Sequence, residues 1–176
     1  MNEKPSKTGS RFFDWLFNTD GHPGLYILKM WPVQTIPSLV IIISSYYVAK
    51  LLGFQELFHL KHSSTTLSLP VRFFGTVIFS PAIETLLMIP LFGLLRGITK
   101  NQLALVFLSA LVWALLHSIL IPIWGLGVFW GFVVLSSSYL AWSDKSPKLA
   151  YWVTFALHAL NNLTAFVGAV ISATIA

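Results

Sequence analysis

Four polar side chains stand out in an otherwise greasy chain: Glu84, His117, His158 and Asn162. Glu84 is the only acidic residue inside any of the long apolar runs. A carboxylate at mid-helix in a bilayer costs roughly 3 kcal/mol, so it is either a neutral hydrogen-bonded brace or a functional base in a wet cavity. Pro81 and Pro90 flank it, and each removes a backbone donor, so the helix is expected to kink around the glutamate. His158 and Asn162 are four residues apart and share one helix face. His117 alone would carry little weight, because a single intramembrane histidine often only bridges two helices. As a set the four say more, since buried polar groups satisfy one another by converging. A carboxylate beside an imidazole and a water can act as a general base. A second imidazole and an amide can hold an oxyanion. Together these groups suffice to hydrolyse a peptide bond without a covalent intermediate.

Membrane spans are what must position them. Of 176 residues, 56% are hydrophobic and only 10% charged, and the mean hydropathy is +0.76, well outside the range of soluble domains. At roughly 20 residues per crossing the apolar runs allow about five spans, so the expected fold is an all-α polytopic transmembrane bundle with short interfacial helices. The spans are expected near 32–52, 72–95, 103–121, 127–142 and 149–176. Residues 1–31 read as an N-terminal tail and interfacial amphipathic segment, and 32–176 as the bundle. Arg11–Phe17 and Phe54–His62 are too short to cross and suit helices lying among headgroups. Met1–Ser10 reads as a mobile cytoplasmic tail.

Other chemistries find less support. No cysteine is present, which removes disulfides, thiolate metal sites and cysteine nucleophiles. The net charge of +5 invites a nucleic-acid reading, but the basic residues sit in short segments flanking spans. Nothing resembling a cleavable signal peptide precedes the first span. His22 reads as a turn residue, and His59 with His62 as solvated surface histidines. Glu84, His117 and His158 form a possible zinc donor set, disfavoured because neither His-Glu-x-x-His nor any pair of ligands at i,i+4 accompanies them. Ser136–Ser138 lacks the Gly-x-Ser-x-Gly setting of a serine hydrolase. Trp124, Trp130 and Trp142 read as an interface belt.

Eight of the eleven Lys and Arg fall on one side if the N-terminus is inside, which orients the chain N-in and, with five spans, C-out. The expected location is the plasma membrane of a prokaryote. Counted at ~1.5 Å per residue, Glu84 and His158 then lie in the inner half, whereas His117 comes out near the outer face unless its span starts deeper or the helices tilt or break.

Pro81-x-x-Glu84, Trp113-x-x-x-His117 and His158-x-x-x-Asn162 resemble, in order, the three motifs of the CAAX-protease and bacteriocin-processing (CPBP) intramembrane glutamic proteases, which include the CAAX prenyl endopeptidases. The likeness covers 80–166, about half the chain, and is closest in the third motif. It implies that Glu84 with His117 activates a water and that His158 with Asn162 holds the oxyanion, Thr85 and Trp113 supporting. It also implies a membrane-associated or lipidated peptide as substrate, cut near its C-terminus, and no cofactor. The family's second glutamate is Thr85 here and its arginine is Ile89; Arg96 is ~18 Å along the helix from Glu84. Those two departures favour the alternative, a non-catalytic immunity or assembly factor of the same family that binds a hydrophobic peptide.

Overall fold

In the computed structural model, residues 9–58 and 67–175 are described; most of them are helical, and there is no strand among them. Five helices or helical runs are long and apolar enough to cross a membrane. They are α2 (Pro23–Leu51), the composite run from α3 (Leu69–Phe73) through a π-helical stretch (Phe74–Phe79) into α4 (Ser80–Ile98), α5 (Gln102–Leu120), α6 (Trp124–Ser143) and α7 (Pro147–Ile175). A short helix, α1 (Arg11–Leu16), precedes them. The protein is an all-α membrane bundle, as its apolar runs require.

α6 is the axle. It packs on α1, α2, α5 and α7, and most of its side chains are buried. That position corrects the reading of its tryptophans as an interface belt. Trp142 is fully buried, edge-on to Tyr26, and the Trp130 indole donates to the Val33 carbonyl at 2.8 Å; only Trp124 is substantially exposed. A central helix turns its aromatics to protein rather than to lipid. Its serines are structural too. Ser136 donates to Ser109, whereas Ser137 and Ser138 bond back to the Val133 and Val134 carbonyls.

α2 begins at Pro23 rather than at Pro32. His22 supplies the cap, its Nδ1 accepting from the Gly24 N–H at 3.1 Å, and Pro23 takes the first helical position, where no N–H is needed. The helix then runs unbroken through Pro32 and Pro37. Pro37 leaves the Val33 carbonyl without its helical donor, and the Trp130 indole meets it from α6. Trp130→Phe should therefore destabilise the bundle by ~1 kcal/mol. Pro37→Ala restores the missing N–H and should erase most of that cost, a coupling that reversible unfolding in mixed micelles would read as a double-mutant cycle.

α1 packs on the bundle with one side and leaves Phe12 and Trp15 partly exposed. Phe12 stacks on Trp130 at 6.0 Å, Phe13 meets Phe107 edge-on, and the buried Leu16 offers its carbonyl to the Tyr26 hydroxyl at 2.7 Å. The second expected interfacial helix is described only as one 3₁₀ turn, Gln55–Phe58; His59 and His62 lie outside the described residues, as does most of the expected N-terminal tail.

Helix lengths resolve the depth of His117. α2 and α7 have 29 residues each, ~44 Å, whereas α5 has 19 and α6 has 20, ~29 Å. The α5–α6 hairpin is therefore shorter than the helices that flank it. His117 is near the end of its helix, yet it lies 15 residues from the start of α5 while Glu84 lies 14 from the end of α4, and only 99–101 join the two. The two side chains are level.

Candidate functional site

Glu84 is oriented from its own helix. Ser80, one turn earlier, donates its hydroxyl to Oε1. That fixes the carboxylate plane and turns Oε2 inward, where it meets two imidazoles: Nε2 of His117 at 3.8 Å and Nε2 of His158 at 3.8 Å. Both separations exceed a direct hydrogen bond and suit groups that share a small third molecule.

The His117 tautomer follows from its other nitrogen. Nδ1 lies 2.8 Å from the Trp113 carbonyl, which can only accept, so Nδ1 carries the proton. In the neutral ring Nε2 then presents a lone pair to Glu84 Oε2. Two acceptors face each other, an arrangement stable only with a donor between them or with a proton on one of them. His158 is held differently. Its ring is buried, edge-on to Phe132 at 5.5 Å, and its Nδ1 meets no partner among the described residues. Phe132 also stacks on Trp113 at 4.9 Å, nearly parallel, and sits 5.6 Å from the His117 ring. One α6 phenylalanine thus sets the spacing of residues from α5 and α7.

Asn162 does a job that links it to the prolines. In the π-helical stretch the Ser80 N–H bonds to the Gly75 carbonyl, and Pro81 has no N–H, so the Thr76 carbonyl loses both possible helical donors. Asn162 Nδ2 donates to it at 2.9 Å. The amide keeps a second N–H and its oxygen for other use. An irregularity is therefore present as a widened turn just before Glu84.

Expected and observed support diverge at Thr85. Its side chain is fully buried, its hydroxyl has no partner among the described residues, and it does not line the cavity. Neighbouring helical residues point about 100° apart, so Thr85 faces away while Ser80, at i−4, faces with Glu84. Trp113 supports the site through its carbonyl and its stack on Phe132.

All four polar residues singled out in the sequence line one cavity of about 390 Å³. α2 closes one wall with Gln34, Thr35 and Ser38, and sequence reasoning passed over all three although their close spacing in a span is a signal of the same kind as Glu84. Thr35 donates to Asn161 at 3.0 Å and Trp31 to Thr164 at 3.1 Å, locking α2 to α7. Arg72 is the one Lys or Arg among the described lining residues. Among the described residues no group of three His, Asp or Glu is arranged to hold a metal ion, and metal analysis of the purified protein is the direct test of the zinc alternative.

Fold and site together define a class: a polytopic helical membrane protein enclosing a cavity with an acid, two imidazoles and an amide on its wall. Compared with protein-family models, with curated proteins and with solved structures, the chain shows no significant match.

Proposed function

We propose that the chain is an intramembrane glutamic endopeptidase, of the type its three motifs resemble, that hydrolyses a peptide bond of a membrane-associated substrate. What carries the reading is Glu84 Oε2 standing 3.8 Å from both imidazoles while Ser80 holds Oε1. A water bridging Glu84 and the His117 lone pair donates to both and keeps its own lone pairs for attack. Its oxygen bonds to the scissile carbonyl carbon and its proton passes to the Glu84–His117 pair. The oxyanion formed takes hydrogen bonds from His158 Nε2 and the free N–H of Asn162. The stored proton then goes to the departing amine as the C–N bond breaks. Orientation with the N-terminus inside, in a prokaryotic plasma membrane, and a substrate held near its C-terminus belong to the same proposal.

Cells making Glu84→Gln should accumulate an uncut membrane-associated peptide that cells making the unaltered chain process; identical peptide inventories would refute the reading. The alternative of a non-catalytic peptide binder draws on Asn162, whose amide is partly committed to Thr76. A second substitution separates the two. Asn162→Ala should slow cleavage by about 10²-fold, and Pro81→Ala, which returns a donor to the Thr76 carbonyl, should recover stability but not rate. Full recovery of rate would make Asn162 structural.

A further inference from the structure

α2 carries two polar side chains that the catalytic reading does not use. Gln34 is 1% exposed, and its Oε1 meets no partner among the described residues; nor does the buried Ser38 hydroxyl. Both residues line the cavity. Each such orphan is costly in a membrane interior unless a ligand or water meets it.

Their placement is specific. Gln34 lies 11 residues into α2 and His158 lies 11 residues into α7. The two helix starts are on the same side, because the Lys145 ammonium, just before α7, bonds the Thr19 carbonyl, just before α2. Gln34 is therefore level with the imidazoles, and Ser38 stands one turn outward. Opposite them α6 offers Gly131, where a Cβ would come 3.6 Å from Ser38 Oγ and 3.7 Å from Gln34 Nε2, so bare backbone faces the pair. The next turn repeats the theme with Gly127 against Ile42.

Gln34 and Ser38 are ~6 Å apart along the helix. An extended peptide presents same-edge backbone groups every second residue, ~6.6 Å apart. We infer that the Gln34–Ser38 ridge of α2 is the backbone clamp for an extended peptide, holding two same-edge amide groups of the substrate level with Glu84. The inference rests on the peptidase reading and names how that site grips its ligand. The Gln34 carboxamide takes one backbone group and the Ser38 hydroxyl takes the next but one, the peptide lying in the cavity they line; Gly131 lets α6 back the ridge closely without a side chain covering it. Such a clamp reads backbone rather than side chains, so it selects conformation and imposes little sequence preference.

The test uses full-length protein in nanodiscs carrying Glu84→Gln, so that capture is read without turnover, and a pool of acylated random hexapeptides quantified by mass spectrometry. The peptides captured should fall about tenfold in affinity when Gln34→Met removes the amide at constant shape, since one well-made hydrogen bond is worth about that factor. Ser38→Ala should give a similar but smaller loss. A matched pool N-methylated at alternate residues should show the loss in one methylation phase only, and this arm needs no protein variant. Equal capture by Gln34→Met, equal capture of both N-methyl phases, or no capture at all overturns the clamp. Capture without cleavage by the unaltered chain would instead sink the peptidase reading and leave the clamp standing. Cleavage insensitive to N-methylation would do the reverse.

Discussion

Glu84→Gln is expected to lower peptide cleavage by about 10³-fold or more, with little change in thermal stability. The substitution preserves shape and keeps an oxygen for the Ser80 hydroxyl, so the hydrogen bond that orients the side chain survives. What is lost is the proton acceptor facing His117 and His158. Loss of rate and loss of fold are thus separable here, and parallel activity and melting measurements on the same reconstituted sample would separate them. A variant that melts as the parent does yet cleaves at the parental rate would remove Glu84 from the chemistry. Ser80→Ala should show a milder form of the same effect, slowing turnover by about tenfold, because the carboxylate then rotates freely between productive and idle positions.

Gly125→Val is expected to have the largest effect on the fold. Gly125 opens α6 directly against the end of α5, and a Cβ there would lie 2.2 Å from Ser118 Oγ and 2.5 Å from the Ala114 carbonyl oxygen. The hydroxyl can rotate away; the carbonyl belongs to a helix backbone and cannot. Relief requires α5 and α6 to separate at the hairpin, which costs ~3 kcal/mol or more when the obstacle is backbone. Ala114 is one turn before His117, so the same displacement carries the imidazole away from Glu84. Gly125→Ala should already lower the unfolding midpoint and lose more activity than its folded fraction accounts for, and Gly125→Val should prevent accumulation of folded protein. Gly131→Ala provides the contrast. Its Cβ would make only ordinary contacts of 3.6–4.0 Å, and its stability should be close to that of the parent.

The bundle was legible in the sequence because membrane spans are written in composition: long apolar runs separated by short charged turns leave few other folds. Glu84, His117, His158 and Asn162 were legible for the same reason in reverse, as polar groups where hydrocarbon would be cheaper. Phe132, the ring that spaces both histidines, was invisible, since one phenylalanine among many in a spanning helix carries no mark of what it touches. Ser80 is marked by its i,i+4 relation to Glu84, a signal the sequence does carry. The first span is expected to start near Pro32, whereas α2 starts at Pro23 and passes through Pro32 and Pro37, a neighbouring indole meeting the carbonyl that Pro37 frees. The level of His117 could not be counted from sequence, because it turns on where α4 ends: the helix runs to Ile98, past the span end expected near 95, so Glu84 sits about as far from the α4–α5 connection as His117 does.

The proposed chemistry is a water held between Glu84 and His117 attacking a peptide bond. The most direct test incubates the purified chain, reconstituted in liposomes, with a membrane-protein peptide mixture in ¹⁸O-labelled water and reads new C-termini by mass spectrometry. The expected result is a defined set of termini carrying one ¹⁸O with the unaltered chain and none with Glu84→Gln. Labelled termini that persist in Glu84→Gln, or their complete absence with the unaltered chain, would contradict it.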